Sequence, residues 1–376
     1  MRPVELGWQV SGVTGWGLFA QHLALAMRRH GHPVQIADNV DWTGISPVLQ
    51  PTLAPLTQPV AVSGPRFRID GSGNHFPEAP DVPNRTKVCL GVFEDSHLPD
   101  DRKHCWGTFD HVVACSTWAQ QRLDSWGVKA PLWLQGSDDT LFLPAPRRRP
   151  DDRFYIFSGG KLEFRKGQDI VIAAFKKFLQ TPEGNGAVLV TAWQNRWPDT
   201  MMSIWESGHV VGVPVGRLGQ LDIVSWCVAN GIPQENVLDL GFIRQAEFAS
   251  AIRECDVGFF PNRAEGATNM VLPEVMMSGI PVIVSQNTGH LDAAPPPYSV
   301  PLMRQSPVTL TCPLFNGMEG WGESDVDECV EALKRVRNFH AEERKGLTVP
   351  AASFARKTFG WQAQGRTFAD LLASWE

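Results

Sequence analysis

Two short stretches of this chain carry most of its candidate chemistry. In GGKLEFRKG, Lys161, Arg165 and Lys166 put three cations within six residues. In FFPNRAEGATNMVLPEVMMSGIPVIVS, which spans 259–285, eight residues separate the carboxylates of Glu265 and Glu274. Cations in a glycine-rich loop suit phosphate oxygens, and each charge-assisted contact contributes about 1.5–3 kcal/mol. Carboxylates repel phosphate, so acids beside such a loop are expected to take hydroxyls. A nucleotide-sugar, which joins a diphosphate to a ribose and a sugar, has all these parts.

The second stretch reads as the end of a buried strand, a polar loop, a short helix and another buried strand. Asn269 is placed to cap the helix with its side chain. Pro273 falls in the first turn, where a missing N–H costs little, and Gly279 and Pro281 stop the helix. Free N–H groups at such a helix start, at the carboxyl end of a strand, suit a diphosphate. Taken singly, these residues also fit plainer roles. Glu274 could simply favour the positive helix end, an effect of about 0.3–1 kcal/mol. Lys161 and Arg165 could be solvated loop charges, and His290 an ordinary loop residue.

The elements around these stretches read as alternating strands and helices, an α/β pattern. Residues 4–10 are a first strand, followed by the glycine loop SGVTGWG and a helix to about residue 30. Gly12, Gly15, Trp16 and Gly17 form that loop. Gly15-x-Gly17-x-x-Ala20, with Asp38 ending the second strand, fits a permissive dinucleotide fingerprint. The same glycines equally let backbone amides approach a sugar or phosphate held by an opposite domain, or simply pack a tight turn. Residues 42–83 are irregular, with one or two short strands. Strands are expected at 87–93, 111–116 and 132–135. The run PAPRRRPDD, 144–152, reads as a linker with solvated charges. Beyond it, 154–158 is a strand, the cationic stretch a loop, and 168–179 an amphipathic helix. Strands follow at 187–191, 237–240 and 257–260, and helices at 221–230, 247–254, 325–339 and 359–375. The Trp-bearing segment 192–219 reads as an elaborated loop.

The plan is thus a first half, 1–146, and a second half, 147–358, each with a doubly wound sheet, and a C-terminal helix, 359–376, packing back on the first. Their carboxyl edges would face each other across a cleft. Composition agrees with a soluble enzyme: 43% of the 376 residues are hydrophobic and 20% charged. A net charge of −6 gives no general drive toward nucleic acid. The seven Cys form no Cys-x-x-Cys pair, which argues against a disulfide framework or zinc site. No apolar run of 18 residues occurs. The expectation is a cytoplasmic protein, with peripheral membrane contact left open. No acidic cluster for Mg²⁺ stands out, and neither a metal nor a cofactor is expected.

The same segments resemble the retaining family 4 glycosyltransferases of GT-B fold. GGKLEFRKGQDIVIAAF and the 259–285 stretch are similar to that family's basic loop and paired-glutamate segment. GFIRQAEFASAIRECDVGFF resembles its connecting piece, and SGVTGWGLFAQHLALAMRRHGHPVQI, VVACSTWAQQRL and LQGSDDTLFLP its first-half segments. The resemblance implies transfer of a sugar, with retention, from a nucleotide-sugar to a glycan, lipid or small-molecule acceptor. It also implies that Lys161, Arg165 and Lys166 hold the diphosphate, with catalytic weight on the two lysines and Glu265. Glu265 and Gly266 would meet the sugar, Ala267, Thr268, Asn269 and Met270 would cradle sugar and phosphate, and Glu274 would bind the ribose. The loop at Gly12 to Gly17 would face acceptor and diphosphate. Three features depart from the family: eight rather than seven residues between the glutamates, Lys161 for the commoner Arg, and no obvious acceptor-side His. His97, after a strand end, is the acceptor-side candidate, and Glu94 with Asp95 a possible acid pair. Two rivals stay open: a nicotinamide-dependent oxidoreductase on Gly15, Gly17 and Asp38, and a non-catalytic nucleotide-sugar-binding protein of the same fold.

Overall fold

The computed structural model describes residues 1–60, 64–215, 219–309, 312 and 314–376. Two parallel sheets organise them. The first runs in the order Val34–Ile36, Val4–Leu6, Arg66–Ser72, Arg85–Gly91, His111–Ala114. The second runs Val237–Asp239, Val188–Gln194, Tyr155–Lys161, Val257–Phe260, Val282–Ser285, Val300–Leu302. Strands such as Val4–Leu6, Val257–Phe260 and Val282–Ser285 are buried at every position, as parallel strands covered on both faces must be.

Local sequence explains the connecting helices. Thr14 caps Gly15–Arg29 by accepting from the Gly17 amide at 3.1 Å, and Arg28 and Arg29 favour its negative end. Gly167 precedes Gln168–Phe178 at φ +66°, and a Cβ there would lie 2.4 Å from the Pro261 carbonyl oxygen. Only glycine fits that position. The last helix, Trp361–Ala373, lies on Gly15–Arg29: Trp361, Phe368 and Leu372 join the first sheet's core, and the Trp133 indole donates to the Gln364 carbonyl at 3.0 Å. All seven cysteines are buried.

Several expectations need correction. Gly159, Gly160 and Lys161 are not loop but strand, paired with Ala192, Trp193 and Gln194. Residues 132–135 form only a single bridge, at Leu132. In the basic run before the second sheet, Arg147 and Arg148 are exposed as expected, but Arg149 is tied down. Arg149 is 11% exposed, bonds Asp256 at 2.6 Å and lies over the Tyr155 ring. Segment 192–219 contains the short helix Pro198–Met202 and a following turn, Ser203–Ser207; its residues 216–218 lie outside the described residues, as do 61–63 of the segment 42–83. An unforeseen helix, Ala341–Phe359, packs on Val271–Met277. Pro350 inside it and its weak amphipathicity hide it from a periodicity reading.

The two halves meet through more than the linker. Phe76, Phe93, Trp106 and Trp118 of the first share one apolar cluster with Phe164, Ala264, Cys312 and Trp321 of the second.

Candidate functional site

A cavity of about 620 Å³ opens between the carboxyl ends of the two sheets. Five residues that the sequence singles out line it from the second half: Lys161, Arg165, Lys166, Glu265 and Glu274. The turn before Val271–Met277 adds Ala267, Asn269 and Met270, and Gly12, Gly15 and Trp16 face them from the first half. A Cβ on Gly15 would meet nothing within 4 Å, so that glycine leaves the helix start open toward the cavity.

Lys161 ends the strand Tyr155–Lys161, and Arg165 and Lys166 stand on the tight turn Phe164–Lys166 just beyond. The cations are interleaved with acids. Lys161 Nζ lies 2.9 Å from Glu163, Arg165 contacts Glu163 at 2.7 Å and Glu265 at 2.9 Å, and Lys166 reaches Glu265 at 2.6 Å. Arg165 also lies 3.3 Å from Glu94 of the first half. Burial alone would raise Glu265, but Lys166 and Arg165 overcome it and hold the carboxyl at about 2. Glu94 goes the other way. Burial, with Glu163 and Glu265 nearby, outweighs Arg165 and raises it.

The turn that carries Arg165 and Lys166 rests on Arg263, which sequence reading missed. Arg263 is 0% exposed, donates to the Phe164 carbonyl at 2.6 Å, bonds Asp169 at 2.5 and 2.8 Å, and also pairs with Glu323. Its guanidinium lies 4.1 Å from the centre of the Phe164 ring. A buried cation persists only where such partners exist. The one signal available was a cation three positions past a buried strand.

The loop of Glu265 is fixed from both halves. Its amide donates to Thr288 Oγ1 at 2.8 Å, and Ser116 Oγ of the first half donates to the Gly266 carbonyl at 2.8 Å. A Cβ on Gly266 would lie 2.2 Å from the Phe93 carbonyl oxygen, so the close approach of the halves requires glycine there. Asn269 does not cap the helix. Its φ is +57°, Met270 takes the cap position without a side-chain bond, and the Asn269 amide turns back to His290 Nε2 at 3.1 Å. The other His290 nitrogen meets Ser285 Oγ at 3.1 Å, and that hydroxyl donates to the Asn262 carbonyl. The network therefore assigns a neutral ring protonated at Nδ1. Burial lowers His290 to about 4 despite Glu265 nearby.

Glu274 occupies the first turn of Val271–Met277, buried and facing the cavity. No ion pair to it occurs among the described residues; burial pushes its carboxyl well up, with Asp138 adding to the effect. Thr268 is buried with its hydroxyl unpartnered, and it, Gly17 and Gly266 stand behind the lining. His97 is outside the cavity, 60% exposed and bonded to Glu319. The histidine that does face the cavity from the first half is His75, beside Asn74 and Glu94. Asp38 is exposed, takes the Asn39 amide and does not line the cavity.

Among the described residues two groups have donor atoms close enough to share a metal ion: Glu78, His104 and Cys105, and Asp169, His209 and Glu323. Neither lines the cavity, and Arg263 already sits between the carboxylates of the second.

No protein-family model and no curated protein matches this chain. Solved structures do. A sucrose-phosphate synthase from Thermosynechococcus elongatus matches with a TM-score of 0.67 at 14% identity, covering 100% of this chain and 99% of that one. An α,α-trehalose-phosphate synthase (UDP-forming) from Burkholderia vietnamiensis gives 0.65 at 11% identity, covering 100% and 97%. A glycosyltransferase from Rickettsia africae gives 0.63 at 11%, covering 98% and 97%. Identities this low carry the fold alone. That fold is GT-B: two Rossmann-like halves facing each other across a cleft.

Proposed function

We propose that this chain is a nucleotide-sugar-dependent glycosyltransferase of the retaining, hexose-transferring kind, similar to family 4. The observation that carries the reading is convergence. Lys161, Lys166, Glu265 and Glu274, drawn from a strand end, a turn, a loop and a helix start, line one cavity. The solved structures similar to this chain include a sucrose-phosphate synthase and a UDP-forming α,α-trehalose-phosphate synthase, which supports the same class.

Each ammonium group of Lys161 and Lys166 spends one N–H on an acid and keeps two for phosphate oxygens. Placed on a diphosphate, those donors would stabilise the charge that grows as the bond from anomeric carbon to phosphate breaks. One well-aimed donor of this type is worth about 10²–10³ in rate. Ala267, Asn269 and Met270, and Gly15 at the helix start, line the same cavity, and their backbone amides are the further donors assigned to the diphosphate. Glu265, held ionised, accepts hydroxyl hydrogens of the sugar. Glu274, whose burial favours the neutral carboxyl, both donates and accepts, which suits a ribose diol. Retention follows the family resemblance, in which the departing phosphate takes the acceptor proton, so no protein nucleophile is needed.

The oxidoreductase alternative is weakened, because Asp38 is exposed, accepts from the Asn39 amide and is not among the residues that line the cavity with Gly12 and Gly15. No described helix is long and apolar enough to cross a membrane. The test is incubation with UDP-, GDP- and ADP-sugars, following release of the nucleoside diphosphate. Slow release from at least one donor is expected. Binding without release would favour the non-catalytic rival, and no binding would remove the assignment.

A further inference from the structure

The first-half wall of the cavity has a chemistry of its own. Among the described residues that line it, none is Lys or Arg, and Glu94 is the one acid. Glu94 projects inward with its side chain 12% exposed. Its backbone is fixed: the amide donates to Asn74 Oδ1 at 2.6 Å, and the carbonyl accepts from the Trp321 indole at 3.0 Å. Burial lowers His75, and Arg102 adds to the effect, so the ring beside Glu94 is uncharged near neutrality. The remaining polar side chains are uncharged: the hydroxyl of Thr14 and the amides of Asn74 and Gln135. Apolar surface comes from Val13, Trp16 and Val92, and from Leu314 and Phe315 of the second half.

Such a wall has neutral donors and acceptors plus one acid, but no counter-charge for an anion. A phosphate or carboxylate pressed against it would be desolvated with no cation of the wall to meet it, and repelled by Glu94. The start of the helix Gly15–Arg29 does favour an anion, yet its first turn carries no charged side chain. The second-half cations lining the cavity already face acids: Lys161 with Glu163, Arg165 with Glu163 and Glu265, Lys166 with Glu265, and Arg196 with Asp41 at 3.4 Å. The donors that the two lysines keep are assigned to the diphosphate.

Resting on the transferase reading, we infer that the acceptor is an uncharged, hydroxyl-bearing molecule and that Glu94 accepts the hydrogen bond from its reacting or neighbouring hydroxyl. Arg165 ties the geometry together. One guanidinium touches Glu94 at 3.3 Å and Glu265 at 2.9 Å, so an acceptor hydroxyl on the first acid lies beside a sugar on the second.

The full-length protein is first titrated calorimetrically with UDP, GDP and ADP. With the diphosphate that binds, saturation-transfer NMR then compares matched pairs: glucose with glucose 6-phosphate, mannose with mannose 6-phosphate, glycerol with glycerol 3-phosphate. The neutral member of at least one pair is expected to bind at least tenfold tighter than its phosphate ester. Glu94→Gln is expected to weaken it at least tenfold while diphosphate affinity stays within threefold. Preference for a phosphate ester, binding of neither member of any pair, or unchanged neutral-sugar affinity in Glu94→Gln overturns the inference. If that variant does not fold, the wild-type pairs alone decide. Failure in the first titration sinks the transferase reading and this inference together; failure in the second, with a diphosphate bound, sinks only this one.

Discussion

Arg165 Nη2 lies 3.3 Å from Glu94 Oε1 across the cleft, while Nη1 of the same guanidinium holds Glu265 Oε2 at 2.9 Å. A single side chain thus joins the acid of the first half to the acid of the second. Glu163, Glu94 and Glu265 keep the guanidinium charged against the effect of burial. Arg165→Ala would leave three buried carboxyls sharing two lysines. The expected loss is roughly 3–5 kcal/mol in urea unfolding, the usual cost of orphaning a buried charge. Adding Glu94→Ala should recover part of it, with a coupling of about 0.5–3 kcal/mol. Strictly additive losses would mean the two residues do not interact.

Lys166 has a separable role. Its ammonium group is nearly buried and bonded to Glu265, so Lys166→Ala should destabilise the protein less than Arg165→Ala, since Arg165 still answers Glu265. Turnover should nonetheless fall by about 10²–10³. Steady-state kinetics beside urea melts separates the two effects; near-wild-type turnover would strip Lys166 of its assigned function.

His290 sets an acid-side stability limit. Its folded value, lowered to about 4 by burial, lies below the ordinary 6.5, so unfolding takes up a proton that the folded ring refuses. Stability from this group is complete above pH 6.5 and lost as pH falls from 6.5 through 4. The total is on the order of 3 kcal/mol. His290→Gln should flatten the decline in melting temperature across that window. An equally steep decline in the variant would assign it to other groups.

Asp95 acts with the opposite sign. Burial, with Glu94 adjacent, raises it to about 7, and its Oδ1 has no partner. Its penalty on folding is absent below about pH 4, grows as the unfolded carboxyl ionises, and is complete above pH 7. Asp95→Asn should therefore raise the melting temperature more at pH 8 than at pH 4. A gain that is the same at both pH values would place the carboxyl in an unperturbed environment.

What the sequence made legible follows from how local each signal is. The helix of Gly15–Arg29 and the strands Val257–Phe260 and Val282–Ser285 announce themselves through caps, stops and apolar runs a few residues long. Lys161, Lys166 and Glu274 stood out because cations and acids near glycines have few cheap structural uses. Arg263 stayed hidden because its partners, Asp169 and Glu323, come from distant stretches that only the fold brings together. His75 was passed over for a different reason: it follows the strand Arg66–Ser72 inside a segment without periodicity, whereas His97 follows a strand that reads clearly. Asn269 looked like a cap by type and position. Its left-handed backbone, held by the buried bond to His290, overrides that preference.

The central claim is that one cavity grips a nucleoside diphosphate through lysine while Glu274 holds the ribose. Calorimetric titration of wild type, Lys166→Ala and Glu274→Ala with UDP-, GDP- and ADP-glucose tests it most directly. At least one donor should bind wild type and bind each folded variant at least tenfold more weakly. No binding to wild type, or equal affinity in both variants, would contradict it.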